Sequence, residues 1–179
     1  MQNLSGVAGG LAYLFKGALT KDECRNIISI SERKGKHDNT TYCNKDVLHK
    51  QHRTKYADYD LSERIYSKVQ SMFEKKVGRK YSASNTMMTY VVYENGGECP
   101  LHKDSKVPNG IGKTYYVTVI VYLNDFKGGR TYFQRDGKKK QYVNGQAGDI
   151  MIFEGVELPH GCEPVIGQKQ ILIFGIELV

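Results

Sequence analysis

The chain has 179 residues, and 26 lysines and arginines against 19 aspartates and glutamates give it a formal net charge of +7. This length suits one domain, and a hydrophobic fraction of 40% with 25% charged residues excludes wholesale disorder. No apolar run approaches the roughly 18 residues of a membrane span, and the N-terminus lacks the pattern of a secretory signal. We therefore expect a cytoplasmic or otherwise intracellular protein without membrane attachment.

The four cysteines are scattered along the chain, without the close pairs of a zinc ribbon or a disulfide framework. We expect reduced thiols, as is usual inside cells. The cysteines are Cys24, Cys43, Cys99 and Cys162.

Two helices are predicted in the first part of the chain. Residues 20–23 form a capping box, in which Thr and Glu side chains satisfy free backbone N–H groups, and apolar residues follow on one side until Gly35. A second amphipathic helix begins near Asp60 or Ser62 and ends at Gly78. The polar segment between the helices, residues 36–59, is predicted to be a long loop with one strand, and long loops often carry function.

From residue 86 onward, runs of β-branched and aromatic residues alternate with turn residues. Short strands at this spacing are typical of an antiparallel sandwich or barrel. The predicted fold is mainly β, with N-terminal helices packed on a β core in one domain, residues 1–179. Residues 1–85 supply the supporting helices and loop, and residues 86–179 supply the core. The predicted strands cover residues 87–93, 115–123, 131–133, 141–143, 149–153 and 170–176.

Three potential metal ligands lie in the β part. His102 and Asp104 are two residues apart at the end of a predicted strand, where alternate side chains face the same side. His160 lies at the start of another predicted strand. Two neutral imidazoles and one carboxylate on one face of an octahedral ion leave three positions open, as in non-haem Fe(II) oxygenases. The spacing also fits a second interpretation, in which His102 caps a turn and His160 is an ordinary loop histidine.

A cation follows the second histidine. Lys169 lies at the start of the last predicted strand, and a buried ammonium group requires an anionic partner. A dicarboxylate co-substrate would supply one. On its own, Lys169 is better interpreted as a surface lysine of the strand.

The order of motifs in residues 86–179 resembles the Fe(II)- and 2-oxoglutarate-dependent dioxygenases, and within them the prolyl 4-hydroxylase-like group. Residues 93–104, YENGGECPLHKD, resemble the tyrosine-containing stretch that leads into the family's HxD motif. Residues 118–133 resemble its strand pair around YLN and GGxTxF, and residues 148–169 resemble its closing segment. The capping box at residues 20–24 matches only weakly.

This resemblance implies a double-stranded β-helix, or jelly-roll, fold. It assigns His102, Asp104 and His160 as ligands of Fe(II). It assigns Lys169 as the residue that pairs with the distal carboxylate of 2-oxoglutarate, and Tyr93 as a tyrosine whose hydroxyl helps to bind this co-substrate. O₂ is the third reactant, and ascorbate is a further candidate cofactor.

Three more residues are candidates for the site. Tyr122 lies on a strand whose inward residues line the co-substrate pocket, and Thr118 shares its face. Arg53 resembles part of an Arg-Thr or Arg-Ser segment that borders the substrate side in some relatives. An exposed loop arginine is the other interpretation of Arg53.

Two positions depart from the family's pattern. Arg130 replaces the glutamate of the GGET motif, which is not an iron ligand, so that local surface charge changes and the chemistry is retained. Cys99 stands where many relatives have tyrosine, and this difference weakens the transfer of substrate contacts. Cys99 either packs in the core or, being close to iron, is sensitive to oxidation.

The implied activity is hydroxylation of a protein or peptide, with proline as the expected target and with release of succinate and CO₂. Loops rich in tyrosine and lysine suit an extended, polyproline-like chain. Residues 36–59 and 105–114 are expected to flank the site, the second segment as a lid with Gly110 and Gly112.

Two alternatives stay open at this point. A related oxygenase could act on lysyl residues, a small molecule or a methylated nucleic acid, although the nucleic-acid branch typically has paired arginines after the second histidine and this chain has none there. A non-catalytic binding module is also conceivable, but it would be expected to lose one of the ligands. The oligomeric state is not predicted.

Overall fold

The structure is a computed structural model that describes residues 1–37, 42–46, 48–83, 87–104, 116–135 and 137–179. The lid predicted at residues 105–114 lies outside these residues. The helices are α1 (Ser5–Ala8), α2 (Lys21–His37), α3 (Tyr59–Ser67) and α4 (Gln70–Val77). The strands are β1 (Gln2–Asn3), β2 (Ala12–Phe15), β3 (Tyr42–Asp46), β4 (Gln51–Ala57), β5 (Tyr81–Ser82), β6 (Met87–Tyr93), β7 (Cys99–His102), β8 (Tyr116–Tyr122), β9 (Lys127–Gly128), β10 (Thr131–Phe133), β11 (Gln141–Val143), β12 (Ile150–Phe153), β13 (His160–Cys162), β14 (Val165–Ile166) and β15 (Lys169–Leu178).

Helix α2 begins at the predicted capping box. The backbone N–H of Thr20 donates to Glu23 Oε2 at 2.8 Å, and the N–H of Glu23 donates to Thr20 Oγ1 at 3.1 Å. The helix continues through Gly35 to His37, two residues beyond the predicted end. A glycine near a helix end costs only about 1 kcal/mol relative to alanine, so Gly35 does not have to stop the helix.

The second predicted helix is divided into α3 and α4. The Asp58 side chain accepts a hydrogen bond from the backbone of Leu61 and caps α3, whereas α4 ends at Gly78 with a left-handed φ of 70°. Between them, Val69 has a φ of −124° and interrupts the helix. The apolar spacing that predicted a single helix persists across the break, because Val69 and Phe73 are buried in the same cluster as the apolar side chains of α3.

Within the described residues, no helix has both the length and the apolar character to cross a bilayer.

Two facing sheets form a jelly roll, which confirms the predicted fold class. The large sheet has the order β1-β2-β12-β8-β15-β6-β4-β3, with β5 also paired to β15, and the small sheet has the order β11-β10-β13-β7. All strand pairs in both sheets are antiparallel. Strands β9 and β14 form a separate pair.

The period-two alternation of side chains gives the large sheet two different faces. On β8, Val117, Val119 and Val121 are buried in the cluster that includes the helices. Ile120 and Tyr122 of the same strand are buried in a second cluster, which contains residues of the small sheet. Polar residues on this second face therefore point between the sheets, where a site can be built.

The segment at residues 36–59, which was predicted to be a long loop with one strand, has two strands. It contains β3 and β4, which pair with each other, and β4 pairs with β6 along seven positions from Gln51 opposite Tyr93 to Ala57 opposite Met87. Strand β2, which the sequence did not predict, pairs with β12. Residues 1–85 thus extend the large sheet as well as supplying helices.

Candidate functional site

A cavity of about 400 Å³ is lined by strands of both sheets. Among the residues predicted for the site, those that line the cavity are Arg53, Tyr93, His102, Asp104, Thr118, His160 and Lys169. Tyr122 is fully buried and lies behind the wall.

The pairing of two strands brings the predicted metal ligands together. His160 on β13 lies directly opposite His102 on β7. Asp104 follows β7, and its backbone N–H donates to Gly155 O at 2.9 Å. Asp104 Oδ1 is 3.6 Å from the Nε2 atom of each histidine, and the three ligand atoms lie within 4.8 Å of one another.

Backbone carbonyls orient both imidazoles. His102 Nδ1 donates to Pro100 O at 2.9 Å, and His160 Nδ1 donates to Leu158 O at 2.8 Å. With Nδ1 used in this way, the Nε2 lone pairs face Asp104 and the cavity.

The donor atoms fit a non-haem Fe(II) ion. Two imidazole nitrogens and one carboxylate oxygen are the ligands of such sites. Donors about 2.1 Å from a metal and at right angles to each other are about 3 Å apart, so the observed 3.6 Å separations require only a small closure. His102, Asp104 and His160 could therefore hold the metal on one side and leave the cavity side open.

Thr118 contacts the carboxylate of Asp104. Its hydroxyl donates to Asp104 Oδ2 at 2.5 Å, which leaves Oδ1 facing the histidines. A Cβ atom at Gly155 would collide with both the carboxylate and this hydroxyl, so glycine is required for this approach. Thr118, which was predicted to contact the co-substrate, lines the cavity and contacts Asp104.

The electrostatic environment differs between the two histidines. Hydrogen bonds with Asp104 and Cys99 raise the pKa of the more exposed His102 to about 10, whereas burial lowers the pKa of His160. Burial acts to raise the pKa of Asp104, but the hydrogen bond from His102 and the charge of His160 outweigh it, and the pKa is lowered. A metal ion can bind here only when the Nε2 atoms of both imidazoles are unprotonated.

The side chain of Lys169 is a buried cation at the other end of the predicted site. It is 1% exposed, and Nζ donates to Gly129 O at 2.7 Å and to Cys162 Sγ at 3.3 Å. No ion pair within the described part of the chain includes Lys169. Burial lowers the pKa of its ammonium group, because the charged form is poorly solvated there.

Aromatic rings surround the Lys169 ammonium group. Nζ lies 4.8 Å from the ring centre of Phe126 and 5.4 and 5.5 Å from those of Tyr122 and Tyr93. Tyr93 is opposite Lys169 in the β6–β15 register and lines the cavity. The Tyr122 hydroxyl is 2.8 Å from Thr131 Oγ1, so Tyr122 supports the wall behind Lys169. Burial raises the pKa of both tyrosines, which keeps their hydroxyls protonated.

Arg53 lies on β4, where the fold differs from the predicted loop. It is half-buried, and its Nε donates to Gln51 Oε1 at 2.8 Å. Lys55 lies two residues further along the strand and lines the cavity with it. The predicted approach of residues 36–59 to the site is therefore correct for this strand.

Several site residues were missed from the sequence. Cys162 lies two residues after His160 on the same strand, so alternation would have predicted that it lines the cavity. No comparable sequence pattern indicated that Gly155 and Lys55 belong to the site. At Arg130, the predicted change in surface charge is offset, because the guanidinium group forms two hydrogen bonds with Glu163 at 2.6 and 2.8 Å.

Residues 88–175 match the 2OG-Fe(II) oxygenase superfamily. Among curated proteins, none matches this chain. Three similar solved structures share the fold. A prolyl-4-hydroxylase from Pseudomonas putida is 14% identical, with a TM-score of 0.64 over 93% of this chain and 91% of that one.

The second is a viral collagen prolyl hydroxylase from Paramecium Bursaria Chlorella virus-1, solved with 2-oxoglutarate. It is 19% identical, with a TM-score of 0.63 over 94% of this chain and 96% of that one. The third, OsALKBH1, is 15% identical, with a TM-score of 0.70 over 91% and 96% of the two chains. The matched residues include the His102, Asp104 and His160 cluster, so the candidate site lies within the part of the chain that is similar to the 2OG-Fe(II) oxygenase superfamily.

Proposed function

We propose that the chain is an Fe(II)- and 2-oxoglutarate-dependent dioxygenase that hydroxylates a protein or peptide at proline. The observation that carries this proposal is one cavity lined by both the His102–Asp104–His160 cluster and the buried Lys169. The cluster alone would suit several divalent metals. In the same cavity, a buried ammonium group that has no anionic partner among the described residues favours a carboxylate-bearing co-substrate.

Each residue has a distinct proposed role. His102 and His160 would hold Fe(II) through Nε2, and Asp104 would hold it through Oδ1. Lys169 would pair with the distal carboxylate of 2-oxoglutarate, and the Tyr93 hydroxyl would donate a hydrogen bond to this co-substrate. Bound Fe(II), with 2-oxoglutarate and O₂, supplies the oxidation that converts a substrate C–H group into C–OH and yields succinate and CO₂.

The protein contributes positioning, charge and exclusion of water. Thr118 fixes the carboxylate of Asp104 before the metal arrives. Because Lys169 is buried, its attraction for a carboxylate is less screened than it would be in water. Ile120, Ile171 and Ile173 line the cavity with apolar surface.

The identity of the substrate, a protein or peptide, is the more specific part of the proposal. Two prolyl hydroxylases share the fold, and this likeness supports proline as the target. Arg53 of β4 lines the cavity together with residues of the small sheet. Arg53 is proposed to contact the substrate.

The direct test is aerobic incubation with Fe(II), 2-oxoglutarate, ascorbate as candidate reductant, and proline-rich peptides. We expect mass spectrometry to show one added oxygen on proline and a matching amount of succinate. His102→Ala and Asp104→Ala should lose both products, because the metal loses a ligand. His52→Ala, an exposed histidine on the other face of β4, should retain them.

Turnover that survives Asp104→Ala would contradict the proposed site. Oxygen added to lysine, to a small molecule or to a methylated oligonucleotide, with no addition to proline, would reject the prolyl substrate and retain the oxygenase.

A second prediction concerns the hydrogen bond from Thr118 to Asp104. Thr118→Val keeps the shape of the side chain but removes the donor, so Asp104 loses its fixed orientation. We expect Mn(II) affinity, measured by titration calorimetry without O₂, to fall roughly 10- to 100-fold. Thr118→Ser retains the hydroxyl and should bind Mn(II) like the parent. Equal affinity of the Val variant and the parent would show that this contact does not position the ligand.

A further inference from the structure

The lining of the cavity carries more positive than negative side chains. Arg53, Lys55, Lys103 and Lys169 line it, whereas Asp104 is the single carboxylate among the described lining residues. The carboxylate of Asp104 faces the two histidines. It therefore does not neutralise the cations at the mouth.

The guanidinium group of Arg53 is held in place by a chain of two hydrogen bonds. Its Nε donates to Gln51 Oε1, and Gln51, which is 2% exposed, donates through Nε2 to Glu98 O at 3.1 Å. In the described portion of the chain, no ion pair includes Arg53, Lys55 or Lys103. A fixed guanidinium group without a carboxylate partner is suited to bind one from a ligand.

We propose that the substrate is a peptide that carries aspartate or glutamate next to the residue that is oxidised. This inference rests on the proposed function, because it names the substrate class of the same site. Arg53 and Lys55 are two residues apart on a strand, hence about 6.6 Å apart. The same spacing separates alternate side chains of an extended peptide, which favours a peptide over a small anion.

The test compares three labelled peptides in which the central proline is flanked by Glu, by Gln or by Lys. With Mn(II) and 2-oxoglutarate bound, fluorescence anisotropy should show the Glu peptide binding about tenfold more tightly than the Gln peptide in low salt, and high salt should reduce this difference. Combined Arg53→Gln and Lys55→Gln changes should bring the ratio close to one. Lys80→Gln, an exposed change outside the cavity, should leave it unaltered.

Equal binding of the three peptides would overturn the inference, as would tighter binding of a methylated oligonucleotide than of the Glu peptide. Failure of this inference can be distinguished from failure of the proposed function. Preferential binding of the Glu peptide without oxygen added to any peptide would support the anionic recognition and reject the proposed reaction.

A different observation concerns two thiols in the cavity wall. Cys99 on β7 lies opposite Cys162 on β13, and both line the cavity. Between the His160–His102 and Cys162–Cys99 pairs, β7 has two residues and β13 has one, and this β-bulge lets Cys99 face the same side as His102. Cross-strand neighbours on one face have Cβ atoms about 4.5–5.5 Å apart, close to the range that a disulfide bridges.

Each thiol contacts a group of the proposed site. Cys162 Sγ accepts a hydrogen bond from Lys169 Nζ at 3.3 Å, and Cys99 Sγ is 3.7 Å from His102 Nδ1. Movement of either sulfur to form a disulfide would therefore change the surroundings of Lys169 and His102 together.

We infer that a peroxide oxidises Cys99 and Cys162 to a disulfide and that this bond weakens 2-oxoglutarate binding. The two thiols lose two electrons and two protons as the S–S bond forms. The peroxide O–O bond breaks and, for hydrogen peroxide, yields two water molecules. Formation of the bond does not depend on the proposed function, whereas its effect on 2-oxoglutarate does.

The experiment treats the protein with one equivalent of hydrogen peroxide, blocks remaining thiols and maps peptides by mass spectrometry. We expect a linked peptide pair containing Cys99 and Cys162 that dithiothreitol separates. Cys162→Ser should abolish the pair. Cys24→Ser should retain it, because Cys24 lies in the helix-side cluster. The thermal shift produced by 2-oxoglutarate with Mn(II) should shrink on oxidation and return on reduction.

Sulfinic acid at Cys99 without a linked pair would overturn the disulfide. A linked pair with an unchanged thermal shift would overturn its effect on 2-oxoglutarate. If reduced protein shows no shift with 2-oxoglutarate, the proposed co-substrate fails, and the peptide map alone decides the disulfide.

Discussion

An ammonium group with almost no exposed surface is costly unless other groups replace its water shell. The ammonium group of Lys169 contacts the carbonyl of Gly129, the thiol of Cys162 and three aromatic rings. These groups solvate the cation in part, but none of them neutralises it. A carboxylate entering the cavity would complete the environment, and we interpret the rings and strands around Lys169 as a built receptor for such a group.

The alternation of side chains connects this receptor to the candidate metal ligands. On β8 the odd-numbered valines pack towards the helices, so that Thr118 and Tyr122 face the small sheet. Thr118 then reaches Asp104, and Tyr122 lies behind Lys169. One strand thus supports both ends of the site. A shift of one residue in its register would reverse both faces at once.

Much of the candidate site could be predicted from the sequence, because its candidate metal ligands lie at or next to strand ends. His102, Asp104, His160 and Lys169 came from their spacing and from the family resemblance. In residues 36–59 only one strand was predicted, without bounds, because the charged residues of β4 face the cavity mouth and solvent and hide the apolar alternation. The position of Thr118 on Asp104 depends on how two distant segments pack, and no local pattern encodes that contact.

Part of the net charge of +7 lies in two separate sets of cations, and each set has a different proposed ligand. Lys169 is buried and suits a small dicarboxylate, whereas Arg53 and Lys55 lie near the mouth and suit a larger acidic ligand. Other basic residues are already paired, as Arg130 is with Glu163. The buried cation Lys169 and the less buried cations Arg53 and Lys55 therefore have different proposed partners.

The most direct measurement is 2-oxoglutarate binding to the Mn(II)-loaded protein, by titration calorimetry without O₂, for the parent and for Lys169→Met. Removal of the buried charge should weaken binding by roughly 100-fold or more, since a charge-assisted contact in a poorly solvated site is lost. Mn(II) affinity serves as the control for an intact fold and should be close to that of the parent. Equal 2-oxoglutarate affinity in both proteins would contradict the role assigned to Lys169.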